Sequence, residues 1–250
     1  LARLRADGFN AEPTPFARSG VRLVDARQID AHPLYRDGLL EIQDEGSQIV
    51  AALVGAQAGE RIIDYCAGAG GKALALAAVM GDHGEIIACD TSSARLRKMA
   101  PRLARAGVNI VHPRSMEEAG VQGKFDRVLL DVPCSGIGAW RRRPEARWHL
   151  AEEKLIEYND LQDDLLVKGA TITAKNGALV YATCSVLRSE GEDRIASFLE
   201  RVPGFEVVDA DQIWPELLDG VRPDQGPFVN LSPAASATDG FFVAVLRNTT

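Results

Sequence analysis

The chain has 250 residues, 46% of them hydrophobic, and a formal net charge of −7. That is enough apolar material for one substantial core, and no stretch approaches the ~18 consecutive apolar residues of a membrane span. Cys66, Cys89, Cys134 and Cys184 stand far apart with no CxxC or histidine pairing, which argues against a disulfide framework or a metal site and for reduced thiols in a cytoplasmic protein.

Residues 1–37 read as a remnant of an N-terminal module or as a cap on the main domain. Leu1 to Asp7 suits a helix ending at Gly8, Val21 to Val24 is strand-like, and Pro13, Pro15 and Pro33 interrupt the rest. There is no initiator Met, so the natural start is expected upstream, and the N-terminus lacks a signal-peptide pattern.

From residue 38 onward the pattern becomes regular. Leu39–Ile42 suggests a short strand and Ser47–Val54 a helix, followed by a strand over Arg61–Cys66. A glycine-rich turn, Ala67-Gly68-Ala69-Gly70-Gly71-Lys72, leads into a helix over Ala73–Met80. Glu85–Cys89 is a strand ending at Asp90, Ala94–Ala106 a helix stopped by Gly107, and Val108–Val111 a strand. Asp126–Leu130 is an apolar strand that runs into Asp131-Val132-Pro133-Cys134-Ser135-Gly136-Ile137-Gly138. A long amphipathic helix follows over Ala151–Ala174. The strand Ala178–Ala182 then delivers Thr183-Cys184-Ser185, and a helix runs through Ile195 and Leu199. Phe205–Val208 and Gly240–Leu246 suit an antiparallel pair at the edge, with Pro215–Asp239 between them as the longest stretch without regular structure. Alternating strands and helices of this kind make an α/β protein with a doubly wound, mostly parallel sheet and an antiparallel C-terminal edge.

In such a sheet ligands bind outside the carboxyl ends of the strands, so the two cysteine-bearing strands can bring both thiols to one pocket. The glycine-rich turn lets a ligand approach the backbone, the helix N-terminus behind it favours negative charge, and Asp90 is placed for ribose hydroxyls. An adenosine-containing cofactor is expected, and Gly68-Ala69-Gly70-Gly71 is not the G-x-G-x-x-G of dinucleotide binders. A thiol pair suits methylation at C5 of a pyrimidine: a thiolate attacks C6, C5 takes a methyl group, and loss of the C5 proton lets the thiol leave. The alternative for each cysteine taken singly is a small apolar residue at a strand end, the reading kept for the thiols of Cys66 and Cys89.

The D-x-P-C-S-G run Asp131–Gly136, the T-C-S run Thr183–Ser185 and the segment Asp64–Lys72 together resemble the Fmu/Sun (RsmB-like) RNA cytosine-C5 methyltransferases. Gln43–Ser47, the stretch from Arg143-Pro144-Glu145 to Trp148, and Asp239–Phe242 extend the likeness from about residue 39 to the end. The resemblance implies a Rossmann-like class I methyltransferase domain over residues 38–250, S-adenosylmethionine as cofactor, and cytosine in RNA, ribosomal RNA first, as substrate. It implies Cys184 as the nucleophile and Cys134 as the residue assisting proton removal and release. Cys66, Ala67, Gly68, Ala69, Gly70, Gly71, Lys72, Asp90 and Asp131 would line the cofactor site, with Asp131 also touching the target base. The family turn usually reads C-A-A-P-G-G-K-T, whereas this chain has Gly68, Ala69 and Ala73. The family's acid after strand three is replaced by His112-Pro113-Arg114-Ser115.

Net charge disfavours an RNA partner, but Arg141, Arg142, Arg143 and Arg147 cluster, as do Arg95, Arg97, Lys98, Arg102 and Arg105. Trp140 and Trp148 flank the first cluster and read either as a stacking platform for unpaired bases or as pins holding a loop to the sheet; for Trp148 the pin is preferred. Single-stranded or loop RNA, no metal, no membrane and a monomer complete the expectation. Two rivals stand beside it: a DNA cytosine-C5 methyltransferase using Cys134 as nucleophile, and a silent RNA-binding or ribosome-assembly factor of the same fold.

Overall fold

The computed structural model describes residues 1–24, 28–116, 118 and 123–250. Its frame is an eight-stranded sheet. The strands are β3 (Arg61–Asp64), β4 (Glu85–Cys89), β5 (Val111–Arg114), β6 (Phe125–Asp131), β7 (Thr173–Thr183), β8 (Phe205–Val208), β9 (Val229–Leu231) and β10 (Phe241–Asn248). Their order is β5-β4-β3-β6-β7-β10-β8, with β9 also on β10. The pairs from β5 to β7 are parallel, whereas β10 runs antiparallel to β7, β8 and β9. The expected antiparallel edge is therefore present, with Val245 opposite Val208.

The central strands are apolar on successive residues because both sheet faces are covered. Alternate side chains go to opposite layers. Ile62, Ile86, Leu129, Val180 and Val243 join one core with helices α3 (Glu45–Leu53), α4 (Gly71–Val79) and α5 (Ser93–Ala106). Ile63, Ile87, Val128, Leu130, Leu179, Tyr181 and Ala244 join the other, under α6 (Glu152–Ile172) and α7 (Glu192–Arg201). Local signals set the helix ends. Asp44 caps α3 by accepting the Gly46 amide at 2.9 Å, and Ser92 caps α5. Gly107, at φ 66°, closes α5 in the left-handed conformation.

Three expectations are corrected. Leu39–Ile42 is not a strand: Leu39 and Ile42 face solvent, and Glu41 is drawn to Arg102 and Arg105. The strand expected at Val108–Val111 lies at Val111–Arg114, because the Val108 amide turns back to Leu103 in the helix cap and Asn109 is held by Asp82. Pro215–Asp239 is not structureless. It holds the end of α8 (Ala210–Leu217), strand β9 and the short α9 (Pro233–Ser236). The apolar Val229 and Leu231 pair with β10 despite the flanking prolines and glycines.

The first residues carry α1 (Ala2–Ala6), a hairpin of β1 (Ala11–Pro13) and β2 (Val21–Leu23), and α2 (Pro33–Arg36). They have a small core of their own around Leu4, Ala11 and Leu34. Glu45 at the start of α3 ties them to the sheet domain: it accepts the Phe16 amide at 2.9 Å and pairs with Arg22 at 2.8 Å.

Candidate active site

Four strand ends build the site. Past β3, the chain turns through Gly68 (φ 57°) and Gly70 (φ 81°) into α4. A Cβ at Gly70 would sit 2.5 Å from Met99, so the glycine is required by both conformation and space. Past β4, Asp90 accepts the Gly68 amide at 3.0 Å and the Ser92 amide at 2.7 Å. It thus latches the turn to the start of α5, with acceptor capacity left on both oxygens. From the far side, Arg102 donates to the Ala69 carbonyl at 2.6 Å while its Nε is held by Glu41 at 3.2 Å.

Lys72, in the first turn of α4, meets Asp131 at the end of β6 at 2.6 Å. Burial works against the Lys72 ammonium, but Asp131 more than offsets it and holds the lysine above its ordinary value. Below them Asp64 is fully buried, and neither of its carboxylate oxygens has a hydrogen-bond partner among the described residues. Burial, then the neighbouring Asp131, pushes Asp64 up to about 7. Lys72 and the Ala73 amide act the other way without offsetting these, and a buried carboxyl left so is costly to ionise unless a further cation meets it. Beside a glycine turn with positive φ values, it suits a ligand with a sulfonium and an ammonium group, which is the charge pattern of S-adenosylmethionine.

Asp131 and Cys134 leave β6 beside Cys184 leaving β7. The pairing of Asp131 with Ala182 is continued by Val132 N–H to Ala182 at 3.0 Å and Gly138 N–H to the Cys184 carbonyl at 3.0 Å. Gly240 then donates to the Gly138 carbonyl at 2.8 Å. This close crossing excludes side chains, since a Cβ on Gly138 would lie 2.1 Å from the Gly240 oxygen. The result is a thiol pair, Cys134 Sγ to Cys184 Sγ 3.4 Å. The hydrogen bond from Cys134, helped by Lys72, holds the Cys184 thiol below its ordinary value against burial. The same bond, burial and the Cys184 charge, with a smaller contribution from Glu190, push Cys134 well above it. Burial also raises Cys66, and raises Cys89 to about 12, which suits the inert reading of both thiols.

The basic residues divide. Arg141 and Arg142 both bind the buried Asp239, and Arg141 also binds Asp44 at 2.6 Å, so this half of the cluster is a clasp between chain segments. In the other cluster Arg102 and Arg105 are turned to Glu41. Trp140 is half-buried, but Trp148 is 74% exposed with the Arg147 guanidinium 4.3 Å from its ring centre. The preferred reading of Trp148 as a pin is therefore corrected: a short 3-10 turn, Pro144–His149, carries it away from the sheet. Among the described residues, no group of three or more His, Cys, Asp or Glu is arranged to hold a metal, and no helix is long and apolar enough to cross a membrane. In the sequence Asp64 stands out only as the start of a motif and Arg102 only as one of a basic cluster, neither as a site residue, and Glu190 does not stand out; the position of Asp64 at a strand end before the glycine turn is the one signal that could have flagged it.

The strand order, the glycine turn and the acid after β4 define a Rossmann-like methyltransferase domain. Residues 51–247 match the model of the 16S rRNA methyltransferase RsmB/F family, and the chain belongs to that S-adenosylmethionine-dependent family. Among curated proteins it is 30% identical to the probable ribosomal RNA small subunit methyltransferase B of Bacillus subtilis, covering 99% of this chain and 56% of that one. It is 34% identical to ribosomal RNA small subunit methyltransferase B of Photorhabdus laumondii, covering 88% and 54%. The chain thus spans about half the length of these relatives. A methyltransferase homolog protein from Pyrococcus horikoshii superposes with a TM-score of 0.84 at 29% identity, covering 99% of this chain and 81% of that one. NSun6 from the same organism, crystallised with SFG, shares the fold with a TM-score of 0.79 at 24% identity, covering 92% and 60%.

Proposed function

We propose that the chain is the catalytic part of an RNA cytosine-C5 methyltransferase acting on ribosomal RNA, with Cys184 as nucleophile. The observation that carries this reading is the thiol pair at 3.4 Å, brought together at the ends of the adjacent strands β6 and β7 beside the Lys72–Asp131 pair. C5 of cytosine is too weak a nucleophile to take a methyl group unaided. Addition of the Cys184 thiolate to C6 raises electron density at C5. S-adenosylmethionine, when bound, supplies the methyl group as a sulfonium. Cys134, hydrogen-bonded to the Cys184 sulfur, stabilises the thiolate before attack; after methyl transfer its sulfur takes the C5 proton as its own proton passes to the departing Cys184 sulfur, so that the C6–S bond breaks and the C5–C6 double bond is restored. Asp131, paired with Lys72, is suited to accept from the exocyclic amine of the base. Asp64, the turn from Cys66 to Lys72, and Asp90 would hold the cofactor.

A cytosine must leave its stack to reach these thiols, which favours single-stranded or loop RNA. The open face of Trp148, backed by Arg147, offers such RNA a stacking surface. Residues 1–37 serve in this reading as a cap contributing to the RNA surface, and residues 38–250 as the methyltransferase domain. A DNA-type enzyme would attack with the thiol of the P-C motif, here Cys134; that thiol faces the carboxylate of Glu190, whereas Lys72 acts on Cys184, which counts against that alternative.

The test is covalent trapping. Cys134→Ala and Cys184→Ala variants are incubated with S-adenosylmethionine and small-subunit ribosomal RNA and run on a denaturing gel. A stable RNA–protein band for Cys134→Ala and none for Cys184→Ala is expected. The reverse pattern refutes the assignment, and methyl transfer by neither variant nor wild type favours the silent factor.

A further inference from the structure

The loop carrying Cys134 is anchored by a carboxylate that the reaction above leaves unused. Glu190, in the 3-10 turn Arg188–Glu190 beyond Cys184, is fully buried. One of its oxygens accepts the Ser135 amide at 2.8 Å and Gln162 Nε2 at 3.2 Å, and the other accepts the Ser135 hydroxyl. Gln162, on α6 and equally buried, also donates to the Pro133 carbonyl at 3.0 Å. The residues on both sides of Cys134 are therefore fastened to the same pair of side chains. Glu190 is itself fixed from below, where the Tyr181 hydroxyl donates to its backbone carbonyl at 2.8 Å. Ser185, next to Cys184, closes the network at 3.4 Å from the Ser135 hydroxyl and caps the Leu187 amide at 3.1 Å.

A buried carboxylate compensated by neutral donors gives less stability than apolar packing of the same volume, and what it can fix is geometry. Here each donor lies beside one of the two cysteines or spans the elements that carry them. We propose that Glu190 is a positioning residue: through Ser135 and Gln162 it sets the Pro133–Ser135 backbone so that the Cys134 thiol faces Cys184. Its carboxylate also faces Cys134, where its charge favours the thiol form. The inference rests on the proposed roles of the two cysteines, and its test separates from theirs.

Glu190→Gln keeps the shape and can still accept the Ser135 amide, whereas Glu190→Ala removes the anchor. Thermal melting and S-adenosylhomocysteine binding confirm that each variant is folded. The deciding readout is the partition of limiting iodoacetamide between Cys134 and Cys184, read by mass spectrometry. Wild type is expected to label at Cys184. Glu190→Ala, which releases the Ser135 anchor, should shift that ratio severalfold toward Cys134, and Glu190→Gln, which keeps the anchor and loses only the charge, should shift it less. An unchanged partition in folded variants overturns the proposal. In the trapping assay Glu190→Ala should accumulate the RNA adduct as Cys134→Ala does, and trapping by Cys134→Ala alone also overturns it. If Cys134→Ala does not trap, the functional reading falls while the alkylation partition still decides the role of Glu190.

Discussion

Asp239→Asn tests how the site is held together. The Asp239 carboxylate is fully buried and accepts Arg141 Nε at 2.6 Å and Arg142 Nε at 2.7 Å, with Arg142 Nη2 on the same oxygen as the latter. Asparagine keeps the volume and the backbone bond to Asp44, but it removes the charge and turns an amide N–H toward one guanidinium. Hydrogen bonds to charged groups contribute about 1.5–3 kcal/mol each. Arg141 and Arg142 are 39% and 56% exposed and recover water once released, so the loss is discounted to about 2–3 kcal/mol in all. In a chain of this size each kcal/mol moves Tm by roughly 2–4 °C, so a fall of about 4–12 °C is expected near neutral pH. Burial pushes the Asp239 carboxyl up, but the bonds from Arg142 and Arg141 outweigh it and hold it below its ordinary value. A depressed folded value gives stability that is present above the unfolded value and lost as pH falls through the folded one. Calorimetric melts of the two proteins should therefore differ fully near neutrality and converge well below about pH 4. Equal Tm at neutral pH, or a gap that persists undiminished in acid, would refute the clasp.

Three further outcomes follow from the site. Because Asp64 is raised to about 7, the folded protein holds an extra proton above the ordinary value of 3.8, and the penalty grows with pH through that window. Asp64→Asn should melt above wild type near pH 8 and level with it near pH 4, while S-adenosylmethionine affinity rises with pH from about 6 to 8 in wild type only. Arg102→Ala frees the Ala69 carbonyl and should weaken S-adenosylhomocysteine binding by roughly tenfold in calorimetry, the scale of one charge-assisted hydrogen bond, with a fall in Tm as well because Arg102 also pairs with Glu41. Iodoacetamide should modify Cys184 first and Cys89 last, and Cys134→Ala should slow Cys184 by removing its hydrogen bond; first labelling at Cys134 contradicts the thiol assignment.

The sheet was legible because its strands are buried on both faces: runs such as Val128–Leu130 and Leu179–Ala182 are too apolar and too short for anything else. The meeting of Cys134 and Cys184 followed from two adjacent parallel strands ending at one edge. The misplaced elements are those whose structure depends on partners far along the chain. Leu39–Ile42 has strand-like composition, but what decides its path is Glu41 reaching Arg102 and Arg105 more than 60 residues later. Val229 and Leu231 become a strand only because β10 offers an edge.

The same reason explains which site residues stayed hidden. Cys134 and Cys184 lie in motifs whose chemistry is local, whereas Glu190, Arg102 and Asp239 act through bonds that close loops of 55, 33 and 98 residues. Sequence spacing carries no trace of such closures. A charged residue near a turn is as often solvated as buried, and Arg141 and Arg142 illustrate the error in the opposite sense, since a run of arginines suggested phosphate contacts. Two of its members instead neutralise a buried aspartate, which leaves Arg143 and Arg147 as the members of that run without such an ion pair among the described residues. Any RNA affinity contributed by this loop should accordingly carry the salt dependence of about two phosphate contacts rather than four.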